Sequence, residues 1–380
     1  MSHSLIMDAL PQERIYFGHS VRDALGLEVD RLGAQRVFLA ASKTLRRETG
    51  AISLLVTTLG AKCVGIFDGI AEHSKLDGVA AAAAAAQASK ADLLVGVGGG
   101  SIIDGLKIVQ LALANNVTSV NDILALRKAR TIPLHAIRQI AIPTTLSGAE
   151  VTPAGGGTDS GRGVKIGFID PQLVPRSVIY DPAMGALTAE WLWLSSAIRG
   201  VDHCCEGILA RNANPVADAG LLHALKLFST TLRRTKTVPG DPFARSSSQI
   251  ASYLACTSSI RAGSGASHGI GYILGGRYGV HHGYASCIML PHVLRWNSPS
   301  TEDRQKLISI AMNRPDLSAG DAVAGLVSDL GLPTRLRDVG IAEKDLGAIA
   351  AEAATHPVVL SNPRPITRTE DVLEIVTSAW

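Results

Sequence analysis

At 380 residues the chain is longer than one hydrophobic core usually serves, so two domains are expected. Apolar residues make up 46% and charged residues 18%, and the net charge is only +3. This is the balance of a soluble globular protein, and it offers no basic field for nucleic acid or an anionic membrane. Five cysteines (Cys63, Cys204, Cys205, Cys256 and Cys287) without CxxC spacing read as reduced thiols in a cytoplasmic setting.

Near the start, Asp8 and the lack of a basic segment leading into an apolar run give no signal peptide, and no uncharged stretch of about 18 residues could span a bilayer. Residues 14–18 read as a short strand closed by a turn, and 21–32 as a helix with Leu25, Leu27, Val29 and Leu32 at helical spacing. A buried parallel strand at 36–41 runs into a loop at Ser42-Lys43. One helix is expected over 44–59, a strand over 63–67, and an alanine-rich helix over 79–89, where small residues let the helix lie close to a sheet. A strand at 93–97, a helix from Asp104 to about Asn115 and a strand at 140–143 follow. Alternation of strands and helices to about residue 180 predicts βαβ units and a parallel, Rossmann-like sheet with ligands at the carboxyl ends of its strands. After Asp181-Pro182 the periodicity turns helical, as at 221–232 and 246–259. The expected division is an α/β domain over 1–185 and an all-α domain over 186–380, with the crevice between them as the default site.

Gly98-Gly99-Gly100-Ser101 joins the strand at 93–97 to a helix. Residues without Cβ let backbone N–H groups approach a ligand, and a helix start suits a pyrophosphate. Ser101 is expected to cap that helix, with Asp104 completing a capping-box-like pair. Pro143-Thr144-Thr145-Leu146-Ser147-Gly148-Ala149-Glu150 is a hydroxyl-rich strand end, suited to a phosphate or ribose or to satisfying its own backbone. In the helical half His203, His268 and His282 form a candidate three-nitrogen metal site, with Asp202, Glu206 and Asp218 as nearby carboxylates.

In this order the glycine loop with Asp104 and Lys107, Pro143-Thr144-Thr145, His203-x-x-Glu206, His268 and His282-Gly283 resemble the iron-containing (group III) alcohol dehydrogenases, from about Ile15 to Asn297. The resemblance implies the dehydroquinate synthase-like architecture, hydride transfer with NAD(P)H, assistance by Fe²⁺ or Zn²⁺, a small-molecule substrate and a homodimer. It also implies cofactor contacts from Gly98, Gly99, Gly100, Ser101, Asp104, Thr144, Thr145, Ser147 and Lys165. Within the family, the 143–150 loop, one residue short, and Phe67-Asp68-Gly69-Ile70 with His73 resemble the maleylacetate reductases of aromatic degradation.

Three positions depart from the family pattern. Arg199 stands one helical turn before His203, where the family places an acidic metal ligand, or Asn in maleylacetate reductases. A guanidinium cannot ligate a metal, which leaves open whether the site is filled. Asp202 should point about 100° from His203 around the helix, and an Asp202/Glu206 pair is the alternative ligand spacing. Tyr272 replaces a histidine that the family often has four residues after His268. Ser42, with Lys43, Arg46 and Arg47 near it, replaces a ribose-binding Asp, so a 2′-phosphate would not be repelled. The expected chemistry is reduction of a small carboxylate-bearing enone or oxoacid, with Arg199 in place of the metal charge and His203, His268 or Tyr272 giving the proton. A metal-dependent alcohol or aldehyde dehydrogenase, a dehydroquinate synthase-like lyase and a binding protein without catalysis are the alternatives.

Overall fold

The computed structural model describes residues 9–127 and 136–380; Asp8, on which the reading of the N-terminus rests, lies outside them. The chain forms two compact units, 1–188 and 189–380. No described helix is long and apolar enough to cross a membrane.

The first unit is built on β1 (Arg14–Phe17), β2 (Val37–Ala41), β3 (Cys63–Phe67), β4 (Leu93–Gly98), β5 (Gln139–Pro143) and β8 (Ser177–Tyr180), in the order β1-β8-β5-β4-β2-β3, with every pairing parallel. The intervening β6 (Ala154–Asp159) and β7 (Val164–Ile169) pair with each other, antiparallel, and Thr158 of β6 forms a single parallel bridge to Lys75. Helices α1 (Val21–Arg31), α2 (Lys43–Glu48), α3 (Ala51–Leu59), α4 (Leu76–Ala88), α5 (Gly100–Ala114), α6 (Val120–Leu126) and α7 (Pro182–Ala186) complete the unit. Strands β2, β4 and β5 are buried at every position, as expected for strands covered on both faces. The chain moves outward from β2 to β3, returns to the centre for β4, and then moves outward the other way to β5. This reversal is where open α/β sheets bind ligands, and the register aligns the loops there: Ala41 pairs with Val97, and Gly98 with Pro143.

The second unit is helical, with α8 (Glu190–Leu209), α9 (Pro215–Thr237), α10 (Pro242–Ala262), α11 (Ala266–Tyr278), α12 (His282–Ala311), α13 (Ala319–Asp329), α14 (Leu346–Ala353), α15 (Pro357–Leu360) and α16 (Thr369–Ser378). Asp181, Asn214 and Asp241 cap α7, α9 and α10, each followed by the proline that suits a first helical turn.

Three local expectations are corrected. The helix expected over 44–59 is two, because Thr49 adopts extended backbone; its hydroxyl donates to Leu45 O at 2.7 Å and accepts from Ala51 N at 3.2 Å, ending α2 and starting α3. Ser101 does not cap α5, whose first residue is Gly100 and whose cap, Gly99, makes no side-chain bond. Ser101 Oγ instead accepts from His73 N at 3.1 Å. The β6–β7 hairpin interrupts the expected strand–helix alternation; three glycines in β6 hide its pattern, although β7 alternates clearly, burying Ile166 and Phe168.

Candidate active site

In the first unit the loops after β2, β4 and β5 meet. Ser42 N donates to Val97 O at 3.3 Å and Thr144 N to Gly98 O at 3.0 Å, so the loops start level. Gly98 has φ of +149°, and a Cβ there would stand 2.9 Å from Ile102 Cγ1. A Cβ on Gly99 would stand 3.1 Å from Thr145 Cγ2, and one on Gly100 would stand 3.0 Å from Ser147 Oγ. The glycines therefore let the hydroxyl loop close on the start of α5, whose first N–H groups have no helical acceptor. This cradle fits a pyrophosphate.

The surrounding residues are held from outside. Lys107 is fully buried and bonds Asp104 Oδ1 at 3.1 Å, Thr152 Oγ1 at 3.0 Å and Ala154 O at 2.6 Å, tying α5 to the chain that leaves the hydroxyl loop. Asp104 also accepts from Gly156 N at 3.3 Å. A Cβ on Gly156 would stand 3.0 Å from Lys165 Cε and 3.7 Å from Asp104 Oδ2, so Lys165 reaches the same flank from β7. Ser42 caps α2 through Leu45 N at 3.3 Å. Asp68 pairs with Arg46 at 3.4 Å and Arg47 at 3.8 Å.

In the second unit α8, α11 and α12 gather the other candidates. Arg199, 9% exposed, donates from Nη1 to Ser286 Oγ at 3.2 Å, lies 3.6 Å from Asp202 Oδ2, and sets its guanidinium 5.5 Å from the centre of the Tyr272 ring. Asp202 Oδ2 accepts from Ser267 at 2.9 Å and from Ser286 at 2.6 Å. Glu206 accepts from the N–H groups of Gly265, Ser267 and His268 at 2.7, 2.7 and 3.3 Å, and meets His268 Nδ1 at 2.7 Å. It thereby satisfies three donors at the start of α11, and Asn362 Oδ1 accepts from a fourth, Ala266 N, at 3.2 Å. The other face of the ring continues the chain: His268 Nε2 lies 2.9 Å from His203 Nδ1. His268 is fully buried, while His203 is partly exposed.

Asp202 and His203 do point apart around α8, but one imidazole spans both directions. Burial works against the charged form of Asp202, yet His268, Arg199 and Ser286 overcome it and hold the carboxyl at about 2. Burial and Arg199 disfavour the His268 cation, but Asp202 and Glu206 prevail and raise it. His203 is pushed well down by burial and by the positive charges of His268 and Arg199. The inner ring thus favours its cationic form, with a proton on each nitrogen, and the outer ring its neutral form.

Among the described residues one group of side chains is close enough to offer a metal three ligands, namely Asp202, Glu206 and His268. The set is a poor fit for a divalent ion, although Asp202 Oδ1 is buried without a hydrogen bond. Glu206 is saturated by three N–H groups and an imidazole, His268 Nδ1 is spent between two carboxylates, and Arg199 brings a fixed cation to Asp202. His282 stands away from that group, its ring centre 6.1 Å from that of Tyr272, which is 39% exposed. Asp218 is held by Arg304 at 2.6 Å. Ser267 and Ser286, both fully buried, were not anticipated; nothing in their spacing marks them, since they reach Asp202 only through helix packing.

The sequence profile of iron-containing alcohol dehydrogenases matches residues 11–182, and that of the family's C-terminal domain matches 195–380. A maleylacetate reductase of Rhodococcus opacus is 31% identical, over 97% of this chain and 94% of its own. Lactaldehyde reductase of Escherichia coli K12 is 29% identical, over 97% and 98%. The crystal structure of maleylacetate reductase from Agrobacterium tumefaciens superposes with a TM-score of 0.85 at 25% identity, covering 100% of this chain and 99% of that one.

Proposed function

From the premise that the chain belongs to the iron-containing alcohol dehydrogenase family and is an NAD(P)-dependent oxidoreductase, we propose that it is a maleylacetate reductase-like enzyme, reducing a small carboxylate-bearing enone or oxoacid without a metal. The observation that carries this reading is Arg199, a buried cation beside the Asp202–His268–Glu206 group. The similarity to maleylacetate reductases supports the substrate class.

The cradle of Gly98, Gly99, Gly100, Ser101, Thr144, Thr145 and Ser147 holds the cofactor in this reading, flanked by Ser42, Asp104 and Lys165. Bound reduced nicotinamide supplies the hydride. Arg199 binds a substrate carboxylate or the oxygen that gains charge as the double bond is reduced, and the buried setting strengthens that attraction. His203 gives its Nε2 proton to the substrate while His268 Nε2–H passes a proton to His203 Nδ1. Glu206 keeps the Nδ1 proton of His268 in place, which fixes the direction of transfer. The Tyr272 ring packs against Arg199 and steadies the guanidinium. Part of the same reading is a cytoplasmic homodimer that works in the degradation of aromatic compounds.

The test is loss of reduced-nicotinamide absorbance with maleylacetate, compared with a panel of aldehydes, before and after chelation. Turnover of maleylacetate that survives chelation, in protein without stoichiometric Fe²⁺ or Zn²⁺, is expected. Aldehyde reduction that requires a metal would establish the alternative, an alcohol or aldehyde dehydrogenase using Asp202, Glu206 and His268, which the proximity of those three side chains favours. Cofactor binding without net oxidation of the cofactor by any substrate would point to a lyase instead.

A further inference from the structure

A second concentration of basic side chains lies wholly within the second unit. A solvent-open cavity of about 190 Å³ is lined by His292 and Arg295 of α12, Thr334 and Arg335 of the segment after α13, and Ser378 of α16, with Cys287 on its wall. No carboxylate lines it. Arg295 is paired with Asp321 through Nε and Nη2, at 3.2 and 2.8 Å, and its Nη1 takes no part in that pair. Arg335 has no ion-pair partner among the described residues; Asp338 accepts from the Thr334 and Arg335 N–H groups at 3.2 and 3.0 Å behind the wall, so the charge open to the cavity is that of the Arg335 guanidinium beside the paired Arg295.

The packing makes room for this arrangement. A Cβ on Gly320 would stand 2.8 Å from Arg295 Cγ and 3.0 Å from Pro291 O, so a glycine on α13 is what lets the arginine stem pass. His292 Nδ1 lies 2.9 Å from Ser378 Oγ. Burial, and then the facing Arg295 and Arg335, press this imidazole down to about 4. Near neutral pH the ring is therefore a polar, uncharged neighbour of two guanidiniums. A concavity with charge of one sign raises the local concentration of counter-ions. Planar guanidinium forks with hydroxyls at hand match the oxygens of a phosphate or carboxylate. The volume falls below the roughly 300–1,000 Å³ of pockets for larger ligands, which limits the occupant to a small ion or acid.

We propose that this cavity binds a small, doubly charged oxyanion, held by Arg295 and Arg335 with Thr334 donating to one of its remaining oxygens, while Ser378, whose hydroxyl donates to Ile375 O at 2.8 Å, only shapes the wall. Inorganic phosphate and a small dicarboxylate share this chemistry. Cys287 follows Ser286, whose hydroxyl bonds both Arg199 and Asp202, so the site sits on the helix that supports the candidate active site. The proposal does not depend on which substrate the enzyme reduces.

The test is calorimetric titration of the full chain, saturated with NAD(P) to fill the glycine cradle, with inorganic phosphate and separately with succinate at constant ionic strength. The expected result is saturable binding of at least one probe at about one per chain, weakened about tenfold or more in Arg335→Gln. Arg335 is exposed, so that variant should melt like the parent; Thr334→Val, which keeps the charge, should weaken binding less. Binding of phosphate alone or of succinate alone identifies the source of the ligand. Absence of saturable binding by both probes, or binding that Arg335→Gln leaves unchanged, overturns the proposal.

Discussion

At the scale of single residues the decisive one is Arg199. Its guanidinium lies 3.6 Å from Asp202 and donates to Ser286, so removing it both deletes the cation proposed to meet the substrate and takes a cationic partner from a buried carboxylate. Arg199→Met is expected to lower kcat/KM by about 10²–10³, the usual loss for a pre-organised donor to developing charge; steady-state rates check this. Arg199→Asp with added Fe²⁺ or Zn²⁺ is the complementary experiment, and metal uptake with gained aldehyde reduction would favour the metal-dependent reading. Asp202 supplies a pH signature. Its folded carboxyl sits at about 2, below the ordinary 3.8, so its stabilisation is complete above that ordinary value and is lost as pH falls toward 2. Acid denaturation of Asp202→Asn followed by circular dichroism should therefore show a shallower fall across this window. The i,i+4 spacing of Asp202 and Glu206 was visible in the sequence, but the route from Glu206 through His268 to His203 was not. It depends on the orientation of one ring, and spacing along a helix says nothing about that.

At the scale of elements, two helix starts carry the chemistry and are built differently. The start of α5 is open: glycines 98–100 leave its N–H groups facing a cradle that a methyl group would crowd. Gly100→Ala, with its Cβ 3.0 Å from Ser147 Oγ, is expected to weaken cofactor binding about tenfold while sparing turnover at saturating cofactor, as nicotinamide fluorescence and rate measurements would show. The start of α11 is closed, because Glu206 from α8 satisfies it. Glu206→Gln keeps the shape but loses the charge and one acceptor oxygen. It should cost about 2 kcal/mol, read as a drop of several degrees in the melting temperature of the second unit. Five of the six strands of the parallel sheet were legible, the central ones because buried parallel strands are continuous apolar runs, whereas the four-residue β8 was not. The break at Thr49 and the β6–β7 hairpin were not, since a hydroxyl choosing its backbone partner and a glycine-rich strand leave no periodic trace.

At the scale of the whole molecule the family places two units on one chain, each with its own duty, and the proposed homodimer would have a mass near 79 kDa, twice the 39.7 kDa of the chain; sedimentation equilibrium checks it. The sequence by itself determined the fold class and the family. Continuous apolar strands dictate a covered parallel sheet, and an ordered series of glycine, threonine and histidine motifs identifies the lineage even though no one motif does. It also pointed to the cofactor, because residues without Cβ at a strand-to-helix turn admit a phosphate and the family resemblance implies that the phosphate belongs to NAD(P). Only the tertiary structure decided how the carboxylates and histidines are used. Asp202 and Glu206 could have been ligands or helix anchors; Ser267 and Ser286 engage Asp202 Oδ2 and three N–H groups engage both Glu206 oxygens, while Asp202 Oδ1 makes no hydrogen bond. Hydrogen bonding is a property of what packs against a side chain, and packing here joins residues that lie 59 to 84 positions apart.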